Sequence, residues 1–293
     1  MRERARLLRM AFVPFVGARL KIIWAYHHLK LLNTEVDLAL KSQPNAVVGQ
    51  IEPETGDKVY RAQMTSQPPR EWGLILGDCV HNLRSALDHM VWDLVQLNGQ
   101  TPDSNTEFPI YWDRAKYSLK GEADRKLRGV STQAVDLIEQ AQPYHAGQPQ
   151  GHPLWILREL DVRDKHRSIL LTASIANLRD FGYYGDLVEP VKWGGLAFED
   201  QDEILRIPAR THAQGSVQPH FTCDVAMDVT GPSPGRPLRD ITQNLYGLVS
   251  HHLHYMEYRV LGTSPSDTSI YPHFSDTAPL AAHPPGCRVI EQA

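Results

Sequence analysis

Apolar and polar residues alternate with a helical period over most of the first 180 positions, and Pro, Gly and β-branched residues become more frequent after that. The clearest stretch is Gly77 to Leu94. At roughly 100° per residue, Ile75, Leu76, Cys79, Leu83, Leu87, Met90 and Leu94 form one stripe, and His81, Arg84, Ser85, Asp88 and Trp92 gather opposite. A helix from about Arg70 to Leu97 is predicted, entered after Pro68-Pro69 and stopped at Asn98-Gly99. Before it, Leu20, Ile23, Trp24, His27, Leu31 and Val36 predict a first helix over Ala18 to Leu40, and the runs within 47–64 predict a β-hairpin around a Pro/Gly/Asp turn.

Residues 101–117 read as a loop carrying the cluster Phe108-Pro109-Ile110-Tyr111-Trp112, whose rings are expected to pack over a core. A short helix follows over 131–140, capped by Ser131 or Thr132, and the Gly/Gln/Pro-rich 143–153 reads as a linker. A fourth helix is predicted from Pro153 to Asn177, then antiparallel strands at 203–207 and 221–227, and a last amphipathic helix from Leu238 to Leu261. The fold class expected is mainly α, a helical bundle with a small antiparallel β insertion. Residues 1–17 read as a loose basic leader, 18–261 as the bundle domain with its β-rich insertion at about 187–230, and 262–293 as an irregular Pro-rich tail.

Composition narrows the function classes. The 30 basic and 34 acidic side chains leave a net charge of −4, so there is no broad positive field to attract nucleic acid. Three cysteines, far apart and without a CxxC pair, suggest neither a disulfide framework nor a zinc site of standard spacing, and they fit a cytoplasmic protein. No apolar run approaches the ~18 residues that would span a bilayer, so no membrane partner is expected. With no GxGxxG after a strand, no Walker A loop, no GxSxG and no HExxH, nothing points to a dinucleotide or other cofactor, to P-loop hydrolysis, to a common serine hydrolase or to a zincin.

A polar face on an otherwise core-forming helix calls for partners. The fourth helix supplies candidates, because Asp164 and Arg167 fall on the same side as Leu157, Leu160 and Leu171. A structural polar network of His81, Arg84, Asp88, Asp164 and Arg167 is therefore expected, with Arg84 near Asp164 and Asp88 near Arg167. The same two segments hold His81, Asp88, His89, Asp161, Asp164 and His166, enough donors for a metal, but the Glu-x-x-His pairs of di-metal bundles are missing and no metal is assigned. His251 and His254 in the last helix share a face, and Tyr255 and Tyr258 beside them suit packing equally well.

Arg84-Ser85-Ala86-Leu87-Asp88-His89 places an Arg and a His with four residues between them, which resembles the Rx4-6H signature of HEPN-type domains. Ser85 stands where that family usually has a more strongly polar residue. The wider pattern, HNLRSALDH followed by LRELDVRDKHR, is also similar to a group of bacterial and phage proteins. The resemblance implies an α-helical bundle that is frequently a homodimer and, in many members, a metal-independent endoribonuclease of a toxin or defence system. RNA would then be the substrate. Arg84 would hold the phosphate, His89 transfer the proton and Asp88 orient either one. The alternative is that the same side chains fix helix packing or form part of a binding site.

Overall fold

The computed structural model describes residues 12–42, 45–64, 67–118, 121–167, 169–184, 192–193, 200–214, 216–228, 232–262 and 288–292. Among them are eight α-helices: α1 (Val16–Ser42), α2 (Arg70–Leu97), α3 (Arg114–Ser118), α4 (Glu122–Lys126), α5 (Thr132–Gln140), α6 (Pro153–His166), α7 (Ala209–Gln214) and α8 (Leu238–Leu261). Seven strands accompany them: β1 (Ala46–Ile51), β2 (Lys58–Gln63), β3 (Leu171–Tyr184), β4 (Lys192–Trp193), β5 (Glu203–Ile207), β6 (Ser216–Met227) and β7 (Arg288–Glu291). The protein is mainly α with a small β part. The chain divides into two compact units, one made of 1–27, 78–162 and 244–276, the other of 28–77, 163–243 and 277–293.

The first unit is helical. Its core is the predicted α2 stripe, with Cys79, Leu83, Leu87, Met90 and Leu94 buried, joined by Phe15, Ile22, Phe108, Ile138, Leu157, Leu160, Val249 and Leu253. Each of these helices contributes apolar residues at three- and four-residue spacing. The α5 cap forms as expected: Ala134 N–H donates to Ser131 Oγ at 3.4 Å.

The second unit holds the strands. One sheet runs β4-β5-β2-β1-β7, and β3 pairs with β6 in a separate two-stranded ribbon. The hairpin register, Ala46 opposite Gln63 through Ile51 opposite Lys58, keeps Val47, Val59 and Ala62 inside. Tyr60 is fully buried and meets Phe221 of β6 with ring centroids 5.8 Å apart.

Two sequence expectations are corrected here. The fourth helix ends at His166, not Asn177, and the chain continues as β3 paired antiparallel to β6 from Leu171–Met227 onward. Thr172 and Ile175 are β-branched, and a partner strand satisfies the backbone groups that the extra helical turns would have paired internally. The tail is not irregular throughout: β7 pairs in parallel with β1, Ala46 opposite Arg288 through Gly49 opposite Glu291, so that sheet is mixed, not purely antiparallel. Residues 1–11 of the expected leader, the 263–287 part of the tail, and 187–191 and 194–199 of the expected insertion lie outside the described residues.

Candidate functional site

The polar face of α2 is assembled within the first unit. Arg84 and Asp88, one helical turn apart, form an ion pair with Nη2 2.9 Å from Oδ1. Arg84 Nη2 also donates to the carbonyl of Phe108 at 2.8 Å, and the Phe108 N–H donates to Asp88 Oδ1 at 2.9 Å. A single pair of side chains thus captures both backbone groups of a residue whose ring is buried. Loop backbone beneath a core ring has no ladder to join, so its N–H and C=O must find side-chain partners.

Gln142 continues the same arrangement two residues further on. Its Nε2 donates to the carbonyls of Pro109 at 2.8 Å and Ile138 at 3.0 Å, and its Oε1 accepts from Tyr111 N at 3.0 Å. The sequence analysis left Gln142 unassigned, between the short helix over 131–140 and the linker over 143–153. The only signal was a Gln two residues beyond the end of α5, directly before Pro143. Glu107, beside Phe108, lies 3.8 Å from Arg84 Nη2 and takes Lys126 Nζ at 2.6 Å, while that ammonium sits 5.4 Å from the Tyr111 ring centroid.

One turn before Arg84, His81 Nδ1 lies 3.2 Å from Oδ1 of Asp161, a buried carboxylate on α6. Ser85 Oγ lies 3.5 Å from the other ring nitrogen. This is a polar contact between the second and fourth sequence-predicted helices, made by Asp161. Arg84 and Asp88, expected to pair with Asp164 and Arg167, pair with each other. The reason is geometric: an i, i+4 pair on one helix needs no second element to bring it together. Asp164 lies against Gly77, where a Cβ would collide with its carboxylate, and Arg167 is exposed.

His89 has a different neighbourhood from Arg84. It is exposed and its ring lies along Gly17 of α1, where an added Cβ would stand 2.5 Å from Nδ1. Asp93, one turn on, accepts the N–H of Phe15 at 2.6 Å, just where the chain takes a positive φ of 65° to enter α1. Burial raises the Asp93 carboxyl above its ordinary value, with the Phe15 N–H and His89 opposing. Arg84 therefore faces the Phe108 loop and His89 the start of α1.

Among the described residues, no group of three or more His, Cys, Asp or Glu side chains gathers as a metal cage. In α8, His251 stacks on Tyr255 with centroids 6.1 Å apart, and burial drives His252 down to about 4, keeping that ring neutral. No helix among the described residues is long and apolar enough to cross a membrane. Compared with protein-family models, with curated proteins and with solved structures, the chain gives no match.

Proposed function

We propose that the first unit is a helical-bundle binding module, in which Arg84, Asp88 and Gln142 fix the 107–111 loop and His81 and Ser85 form the polar contact surface for a partner. The observation that carries this reading is the two-way capture of Phe108. The Arg84 side chain is only 11% exposed and its Nη2 is engaged by a carboxylate and a carbonyl, which is the arrangement of a structural cation. His81, by contrast, keeps 53% of its side chain open while Asp161 orients it from below. The free, buried thiol of Cys79 fits a reducing, cytoplasmic setting.

Amide hydrogen exchange on the full chain tests this. In Asp88→Ala the Phe108 N–H is expected to lose its protection selectively, while the α2 amides lose no more than the fall in global stability accounts for. Unchanged protection at Phe108 would remove the basis of the reading.

Metal-independent RNA cleavage, implied by the HEPN resemblance, is the second reading, and one observation favours it. Arg84 Nη1 is buried without a partner among the described residues, a donor that a phosphate oxygen would satisfy. The exposed Val16, Leu20 and Trp24, spaced four apart on α1, support the homodimer this reading calls for. Against it stand Asp88 and Glu107, which already neutralise Arg84, and the divergence of His89 from that guanidinium. Incubating an RNA pool without metal with wild type and with His89→Ala decides between the two. The binding-module reading expects no cleavage by either protein, and cleavage lost in His89→Ala would install the nuclease instead.

A further inference from the structure

The second unit contains a cavity of about 290 Å³ between the end of α1, the start of α2 and β6, walled by Leu40, Asn45, Pro69, Trp72, Asp224 and Val225 among others. Its size is at the lower end of small-molecule sites, which run from roughly 300 to 1,000 Å³. Most of the wall is apolar and one side is aromatic. Ser42, Asn45 and Gln67 add neutral polar groups, and the charged residue of the wall is Asp224, whose side chain is 4% exposed.

Both hydrogen bonds of that carboxylate fall on Oδ1, which accepts Val225 N–H at 2.8 Å and Arg239 Nε at 3.4 Å. Among the described residues Oδ2 accepts none. Arg239 is shared, and its shorter contact is with Asp37, Nη2 to Oδ1 at 2.5 Å. Two carboxylates thus divide one guanidinium, and the one on the cavity wall has the longer, weaker share. Burial pushes the Asp224 carboxyl above its ordinary value against the pull of Arg239, as expected where the charge is incompletely balanced.

An anion entering this cavity would meet Asp224, and a purely apolar guest would leave the carboxylate undercompensated. A cation on an apolar body satisfies both the carboxylate and the walls, and Trp72 adds an aromatic ring to the lining. We propose that this cavity binds a small organic amine, its ammonium on Asp224 and its hydrocarbon part against Trp72, Leu40 and Pro69. The proposal is independent of the α2 site in the first unit.

Isothermal calorimetry on the full chain with three probes of one length, hexylammonium, 1-hexanol and hexanoate, tests it. Hexylammonium is expected to bind and the other two to bind at least about tenfold more weakly, the loss that follows from one charge-assisted hydrogen bond. Asp224→Asn is expected to abolish that preference. Because this change also loosens Arg239, Leu40→Phe provides a second test, narrowing the cavity while leaving the Asp224, Arg239 and Asp37 side chains in place. It is expected to weaken hexylammonium binding without lowering the melting temperature. Absence of hexylammonium binding to wild type, equal binding of hexanol or hexanoate, or full affinity in Leu40→Phe would each overturn the proposal.

Discussion

Arg84 in the helical unit and Arg206 on β5 in the sheet unit each gather carboxylates, and the carboxylates respond in opposite directions. Arg206 reaches Glu52 at 2.7 Å, Asp57 at 3.1 Å and Glu203 at 2.6 Å on a half-buried face. There the cation wins: its hydrogen bonds pull Glu52 down to about 2 and lower Glu203 as well. Asp88, paired with Arg84 at a similar distance, is raised, because burial outweighs the guanidinium and the Phe108 N–H. Asp88 keeps 31% of its side-chain surface open and Arg84 only 11%, so the guanidinium is the more desolvated partner and depends more on the pair. Charge pairs at equal distance are not equal in energy. What differs is that Arg206 gives Glu52 and Glu203 two hydrogen bonds each, that Arg84 is the more buried of the two cations, and that the Phe108 backbone depends on its pair.

The largest expected effect follows from that dependence. Asp88→Ala strands the Arg84 guanidinium and the Phe108 N–H together and should destabilise by about 3 kcal/mol, read by urea denaturation. A loss no larger than that of a surface pair would show that Arg84 finds solvent when its partner is removed, and the contrast with Arg206 would disappear. Next comes Gly77→Ala on α2, where a methyl group meets the Asp164 carboxylate; overpacking of this kind costs about 1–3 kcal/mol. A wild-type midpoint in that variant would mean that Asp164 swings away freely.

The two regions also differ in how legible they were in the sequence. The α2 helix was read with both ends correct, because its apolar stripe is long and Pro68-Pro69 and Asn98-Gly99 punctuate it. α8 was likewise read with both ends correct, and the hairpin nearly so. β3 did not, since a run of Ile, Leu and Thr after a helix suits either period, and only its pairing with β6 decides. β7 is four residues whose structure depends on β1, some 240 positions earlier, a distance no local window spans. In the site, Arg84 and Asp88 were recognised as charges needing partners, and the partners were wrong because a helical wheel shows which residues share a face but not what lies across from it. Phe108 and Gln142 were beyond reach for that reason: their roles rest on backbone groups, which carry no sequence signal.

Opposite shifts imply opposite pH dependences, a smaller effect that sharpens the comparison. A carboxyl raised in the fold holds its proton more tightly when folded than when unfolded. Its contribution is therefore present at low pH and lost as pH climbs from the ordinary 3.8 through the raised value. Asp88→Asn removes that titration and keeps an acceptor for Phe108 N–H. The stability of wild type relative to Asp88→Asn should accordingly fall as pH rises through this window. A flat difference would mean that Arg84, not burial, governs Asp88.

The smallest effect belongs to Arg206→Gln. Glu52 is lowered in the fold, so its contribution is present above the ordinary 4.5 and fades as pH falls toward about 2, the reverse of Asp88. The pair is half-buried and no backbone N–H is stranded with its cation, so the loss on substitution should be smaller than any of those above. It should shrink further in about 1 M salt, where the screening length is roughly 3 Å. Arg206 also ties β5 to Glu52 and Asp57 across the edge of the hairpin, so a salt-independent remainder would measure that cross-linking apart from charge. If the loss instead matched that of Asp88→Ala and persisted in salt and acid, backbone organisation by arginine, not desolvation, would be what sets the value of both clusters.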